Sequence, residues 1–97
     1  MYARVTIVQV LPEKIEESIG LFRDSVVPAA KQQQGFKGTL LLTDPATGNG
    51  MSISLWETED DMRAGETNGY FQEQATKFAP LLAGTPTREG YEVSIQV

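Results

Sequence analysis

An α+β fold in the order βαββαβ is the architecture that the sequence predicts, and three observations indicate it. β-branched residues dominate segment 2–10, and segment 89–97 alternates apolar and polar residues over its second half. A hairpin signal, PATGNG at 45–50, separates two apolar stretches in the middle of the chain. Apolar residues recur at helical spacing between these strands. Two βαβ-type crossovers around a central hairpin give a four-stranded antiparallel sheet with both helices on one face.

The first half of the chain predicts a strand, a long helix and a second strand. Strand one covers residues 2–10 (YARVTIVQV). The helix starts near Pro12, and its apolar stripe consists of Ile15, Ile19, Phe22 and Val26. Pro28 lies inside this pattern and is expected to kink or end the regular helix, with Gly35 as the stop signal. Strand two covers residues 36–44 (FKGTLLLTD).

The second half predicts a third strand, a broken helix and a fourth strand. Strand three covers residues 51–57 and is antiparallel to strand two. Thr58 is a predicted N-cap for the second helix. Glycines interrupt this helix, so we expect two segments, at about 59–67 and 70–79. Strand four covers residues 89–97 (EGYEVSIQV), and the whole chain, residues 1–97, is predicted to be a single ferredoxin-like domain.

Composition excludes several classes of function. The net charge of −5 argues against a nucleic acid or an anionic membrane as the main partner. The chain has no cysteine and no histidine, which removes thiol chemistry and the usual ligands of haem and transition metals, so we expect no cofactor and no metal. No apolar run reaches the roughly 18 residues that span a bilayer, and no signal peptide is recognised, so a cytoplasmic location is the default expectation.

Alternation along the strands predicts two different faces for the sheet. The apolar face, which we expect the helices to cover, carries Ala3, Val5, Ile7, Met51, Ile53, Leu55, Tyr91, Val93, Ile95 and Val97. The opposite face carries Arg4, Thr6, Val8, Ser52, Ser54, Trp56, Glu92, Ser94 and Gln96, together with Leu41 or its neighbours. This second face is too apolar for water and too polar for a dry core. We therefore expect it to close against a second copy around a semi-polar cavity; the alternative is a solvated face.

The segment GFKGTLLLTDPATGNGMSISLWETEDDMRA resembles the core of the antibiotic biosynthesis monooxygenase (ABM) domain. The resemblance covers nearly the whole chain and implies a homodimer of the dimeric α+β barrel type. Family members oxidise polycyclic aromatic phenols or quinols with O₂, without metal or flavin. The resemblance therefore implies a cofactor-independent monooxygenase, an oxidoreductase, that holds a small aromatic substrate in a cavity between sheet and helices.

Three positions of the family motif can be compared with this chain. The strand-three tryptophan of the family corresponds to Trp56. Ser52 stands where the family has an asparagine, and Met62 stands where it has a tyrosine. A sister group that degrades haem uses a histidine of the second helix and an asparagine of the first strand, and this chain has neither.

Candidate site residues follow from the strand pattern and the resemblance together. The catalytic candidates are Trp56 as a stacking surface, with Ser52 and Asn68 as hydrogen-bond donors. The candidate substrate-binding residues are Trp56, Arg4, Thr6, Ser54, Tyr70 and Phe71. Several candidates also have a structural alternative: filling of the dimer core for Trp56, core packing for Tyr70 and Phe71, an ion pair with Glu92 for Arg4, and a helix end for Asn68.

Two functions of different classes are left open by the sequence. One is the cofactor-independent oxygenase acting on a phenol or quinol. The other is a non-catalytic homodimer of the same fold that binds a small ligand or has a structural role. The departures at Ser52 and Met62 favour the second, whereas the likeness over the whole chain favours the first.

Overall fold

The computed structural model describes residues 1–97 and has the predicted βαββαβ order, with each helical region divided in two. The strands are β1 (Tyr2–Gln9), β2 (Phe36–Thr43), β3 (Asn49–Trp56) and β4 (Thr87–Glu92). The helices are α1 (Ile15–Leu21), α2 (Val27–Lys31), α3 (Glu59–Thr67) and α4 (Tyr70–Phe78). The sheet order is β2-β3-β1-β4 and all neighbours are antiparallel, which confirms the predicted ferredoxin-like arrangement.

The first helical region runs through Pro28 instead of ending there. A wide π-helical turn at Phe22–Val26 joins α1 to α2, and the N–H of Val27 donates to the carbonyl of Phe22, five residues earlier. Because proline lacks an N–H, a regular turn would leave one carbonyl without its donor, and the wider turn changes the pairing before Pro28 is reached. The chain leaves the helix through Gly35, whose φ of 80° favours glycine.

The second helical region breaks where the glycines predicted it would. Thr58 caps α3 by accepting a hydrogen bond from the N–H of Asp61 at 3.0 Å. Gly69, with a φ of 94°, separates α3 from α4. None of the helices combines the length and the apolar character that crossing a bilayer requires.

β4 begins two residues earlier and ends five residues earlier than predicted. It pairs with β1 from Thr87, opposite Ile7, to Glu92, opposite Tyr2. After the N–H of Val93 donates to the carbonyl of Met1 at 2.9 Å, β1 offers no further partner for the ladder. The alternating pattern of residues 93–97 is therefore not sufficient for a strand within one copy of the chain.

The predicted assignment of the two sheet faces is wrong. The helices cover the face that bears Arg4, Thr6, Val8, Ser52, Ser54 and Trp56, and Trp56 is completely buried there. Arg4, Ser54 and Trp56 on this face are hydrogen-bonded inside the fold, and no fully buried side-chain nitrogen or oxygen lacks a partner. The number of apolar residues on each face of the sheet therefore did not indicate which face the helices cover.

The helix-free face of the sheet is apolar and open in a single copy. Ile7, Leu40 and Leu42 are 46%, 57% and 48% exposed. Tyr91, which the strand pattern predicted to be core, also lies on this face, is half exposed, and donates a hydrogen bond to Glu89. Such a contiguous apolar surface is unusual for a water-facing sheet and indicates an interaction surface.

Candidate functional site

A cavity of about 410 Å³ lies between the helix-facing side of the sheet and the helices α1 and α4. The strands contribute Thr6, Val8, Leu41, Thr43, Gly50, Ser52 and Arg88 to its wall. The helical regions contribute Ser18, Phe22, Val26, Phe71, Gln74, Ala75 and Phe78. Small-molecule sites have volumes of about 300–1,000 Å³ and mostly apolar walls with a few polar groups, and this cavity fits both criteria.

A row of polar side chains crosses the floor of the cavity. Ser52 of β3 lies opposite Thr6 of β1, and Thr6 lies opposite Arg88 of β4. Leu41 of β2 lies on the other side of Ser52 and ends the row with an apolar group. Since neighbouring strands are about 4.8 Å apart, Ser52 and Arg88 mark a span of roughly 10 Å. A flat molecule lying along this row meets two hydroxyl groups and one guanidinium.

Aromatic side chains form much of the roof above this row. Phe22 comes from the π-helical turn, and Phe71 and Phe78 come from α4, two turns apart on one helix face. Among all residues that line the cavity, Arg88 alone carries a charge. The cavity is therefore suited to an aromatic ring system that bears an acidic oxygen near Arg88.

Three arginines surround one carboxylate beside the cavity. Glu66 forms ion pairs with Arg4 at 3.2 Å, with Arg63 at 3.6 Å and with Arg88 at 3.8 Å. Arg63 also pairs with Glu59 at 3.3 Å, so three guanidinium groups against two carboxylates leave a local surplus of one positive charge, although the chain as a whole carries −5. The cluster of Arg4, Arg63, Glu66 and Arg88 therefore gives the cavity a positive end that favours an anionic ligand.

Phe71 separates the two arginines that lie nearest the cavity. The guanidinium carbon of Arg4 is 4.6 Å from the centre of the Phe71 ring, and that of Arg88 is 4.7 Å from it. Both distances fall in the range of cation–π interactions. The ring holds Arg88 at the wall, whereas Arg4 lies behind it in the core.

Trp56 does not face the cavity, contrary to the sequence-based expectation. Its ring is packed at the end of β3 against Phe36 and Tyr70, with ring centres 5.6 Å and 6.3 Å away. Its Nε1–H donates to the hydroxyl of Ser54 at 3.0 Å, so both side chains are engaged within the core. The structural alternative for Trp56, filling of a dimer core, is also wrong, because the ring is completely buried within one copy of the chain.

Arg4 is a buried structural residue with a different partner from the one predicted. It is 3% exposed, pairs with Glu66 and not with Glu92, and donates from Nη2 to the carbonyl of Met62 at 2.8 Å. Burial lowers the pKa of Arg4, and the hydrogen bond and charge of Glu66 act in the opposite direction. Met62, at the position of the family tyrosine, is completely buried and contributes its backbone oxygen.

Tyr70 and Asn68 also lie outside the cavity wall. Burial raises the pKa of Tyr70, while the charge of Arg4 acts in the opposite direction, so its hydroxyl stays protonated near neutral pH. Asn68 follows α3 directly, accepts a hydrogen bond from the N–H of Tyr70 at 2.9 Å and donates to Gln33 at 3.0 Å on the surface. The helix-end alternative describes the surroundings of Asn68.

The structure thus brings three of the predicted site residues together on the cavity wall: Thr6, Ser52 and Phe71. Sequence reasoning missed Arg88 and Gln74. For Arg88 a signal existed, because the alternation that placed Glu92 on the face of Arg4 places Arg88 there too. No cluster of three or more acidic side chains is arranged to hold a metal ion.

Comparison with known proteins gives relatives in sequence and in fold. No family model matches the chain. Uncharacterized protein Rv2557 of Mycobacterium tuberculosis is 35% identical over 98 residues, which is 97% of this chain and 41% of that protein. The chain therefore spans less than half the length of this relative.

Solved structures with the same fold include two oxygenases from Streptomyces. A mutant of SnoaB, a cofactor-independent oxygenase from Streptomyces nogalater, matches with a TM-score of 0.77 and 19% identity, over 99% of this chain and 95% of that one. The monooxygenase ActVA-Orf6 of Streptomyces coelicolor, solved with nanaomycin D, matches with a TM-score of 0.78 and 17% identity, over 99% of this chain and 89% of that one. The chain therefore has the ferredoxin-like α+β fold of these two oxygenases and of a putative antibiotic biosynthesis monooxygenase from Nitrosomonas europaea (TM-score 0.77, 19% identity), as its sequence predicted.

Proposed function

We propose that the chain is a cofactor-independent oxygenase of the antibiotic biosynthesis monooxygenase family, acting on a small aromatic phenol or quinol. The observation that carries this proposal is the cavity itself, whose aromatic roof and hydroxyl-lined floor end at one charged group, Arg88. The two Streptomyces enzymes of the same fold support the reaction class.

In this proposal the chain stabilises the anion of the substrate. No carboxylate and no imidazole lines the cavity, so the phenolic proton leaves to water, and Arg88 holds the oxyanion. Thr6 and Ser52 supply hydroxyl donors along the ring, a role for which the sequence suggested Ser52. The phenyl rings of Phe22, Phe71 and Phe78 supply the apolar wall against which the rings of the substrate pack.

The reaction then needs no redox group from the protein. The electron-rich substrate anion gives one electron to O₂, which forms superoxide and a substrate radical. These combine in a new C–O bond, the peroxide anion takes up a proton from water in place of the one released, and the hydroperoxide then loses water to leave a quinone. One O₂ is consumed for each quinone, one oxygen atom enters the product, and the other leaves as water with two hydrogens from the substrate.

The experiment that tests the function is aerobic turnover of anthrone or a naphthoquinol. We expect quinone formation that depends on the protein, consumes one O₂ per product, persists in the presence of EDTA, and stops without O₂. Binding of these compounds without oxidation would instead support the alternative, a ligand-binding module of the same fold.

We also propose that the helix-free face is covered by a second copy, giving a homodimer. The partner is another copy because the exposed side chains of this face are aliphatic in β1 and β2, without a charge pattern that would specify a different protein. The cavity lies on the other side of the sheet, so dimerisation leaves it intact within each subunit.

Replacing Leu40 and Leu42 with glutamate should convert the dimer to a monomer. Both side chains are about half exposed in one copy and would place charges in an apolar interface. Sedimentation velocity measures the change, with Thr76→Glu on the exposed side of α4 as the matched control. A wild-type chain that sediments as a monomer at micromolar concentration would refute this arrangement.

A further inference from the structure

Gln74 is a buried polar residue of the cavity wall to which the proposed reaction assigns no role. It lies on α4, one turn after Phe71, and is 8% exposed. Its side chain borders both the cavity and a surface groove next to Asn68 and Gln33, so it forms part of the partition between them. A polar side chain in this position needs a hydrogen-bonding partner for each end of its amide.

A chain of hydrogen bonds fixes the orientation of this amide. The ammonium group of Lys77 donates to the hydroxyl oxygen of Ser25 at 2.8 Å. Because that oxygen accepts from Lys77, the Ser25 proton is directed to Oε1 of Gln74, also at 2.8 Å. The carbonyl end of the amide is therefore occupied, whereas the NH₂ end has no hydrogen-bonding partner within the chain. Donation along such a chain strengthens each successive donor.

We propose that Nε2 of Gln74 donates a hydrogen bond to an oxygen of the bound ligand and thereby selects ligands with a second oxygen. The inference builds on the proposed function, which places the first, acidic oxygen at Arg88. Phe71 connects the two anchors, because its ring contacts Arg88 and its backbone lies one helical turn from Gln74. Ser25 is a positioning residue in this arrangement, since it acts through the amide of Gln74.

Anaerobic calorimetric titration with two probes tests this role without requiring turnover. One probe, 2-hydroxy-1,4-naphthoquinone, carries an acidic oxygen and carbonyl acceptors; the other, 2-naphthol, carries the acidic oxygen alone. We expect Gln74→Leu to weaken binding of the quinone about tenfold and to leave binding of 2-naphthol unchanged. Ser25→Ala should weaken quinone binding about threefold, because the amide loses its fixed orientation. Gln74→Glu should weaken it at least tenfold, since a carboxylate faces the ligand oxygen.

If Gln74→Leu lost the same affinity for both probes, Gln74 would only contribute packing to the cavity wall. If it lost affinity for neither probe, the amide would not touch the ligand. Either result would overturn the inference. Failure of the wild-type chain to bind either probe would overturn it as well. Thermal unfolding of each ligand-free variant verifies the fold. If the variants change binding of the two probes as expected but the wild-type chain oxidises no substrate, the inference about Gln74 stands and the proposed oxygenase function is refuted.

Discussion

Replacement of Arg88 by methionine is expected to lower kcat/KM for a phenolic substrate by about 100-fold, because it removes the only charged donor of the cavity wall. The guanidinium favours the anionic form of the substrate and so lowers the substrate's pKa in the site. Its loss should move the acidic limb of the pH–rate profile to higher pH. Steady-state rates of O₂ consumption measured between pH 5 and 10 check both effects.

Arg88→Lys is the matched variant for this prediction. It keeps the positive charge but loses the flat guanidinium that stacks on Phe71, so a loss of about tenfold or less is expected. The fold should tolerate both changes, since Glu66 keeps Arg4 and Arg63 as partners. Turnover and a pH profile that do not change in Arg88→Met would contradict the role of Arg88 in holding the substrate anion.

Trp56→Ala is expected to reduce the free energy of unfolding by about 3–5 kcal/mol, a large part of the total stability of a domain of this size. The indole is completely buried, packs edge-on against Phe36 and Tyr70, and hydrogen-bonds to Ser54. Its removal leaves a large cavity at the end of β3 and an unpaired hydroxyl. Urea unfolding followed by circular dichroism measures the loss.

Trp56→Phe separates stability from ligand contact. The phenyl ring retains most of the packing, so the domain stays folded at 25 °C with a smaller loss of stability. Because Trp56 is not on the cavity wall, affinity for 2-hydroxy-1,4-naphthoquinone should remain within twofold of the wild-type value. A stable Trp56→Phe variant with strongly weakened ligand binding would place the indole at the site and contradict its assignment to the core.

The order of the elements could be predicted from sequence because its signals are local. The PATGNG turn, the Thr58 cap and the break at Gly69 each depend on the conformational preferences of a few neighbouring residues. The end of β4 could not be predicted in this way. Residues 93–97 alternate like a strand, but pairing depends on how far β1 extends beside them.

The cavity illustrates what alternation can and cannot establish. A period of two determines which residues share a face, so Thr6 and Ser52 were correctly placed together. It does not determine which face the helices cover, and the greater apolar content of the other face led to the wrong choice. That apolar content is explained if a second copy covers the helix-free face, as we propose.

The sequence also did not reveal where along the strands the cavity lies. Trp56 and Ser52 share a face of β3, but Trp56 does not line the cavity and packs against Phe36 and Tyr70 at the end of the strand. Arg88 was missed because the predicted strand began one residue after it. Gln74 was missed because its role depends on Ser25, 49 positions away in the sequence.

A crystal structure of the chain with 2-hydroxy-1,4-naphthoquinone would show directly where the ligand binds. We expect electron density for the ligand between the sheet and helices α1 and α4, with its acidic oxygen within hydrogen-bonding distance of Arg88 and its rings below Phe71. Density on the helix-free face instead, beside Leu40 and Leu42, would contradict the assignment of the cavity as the binding site.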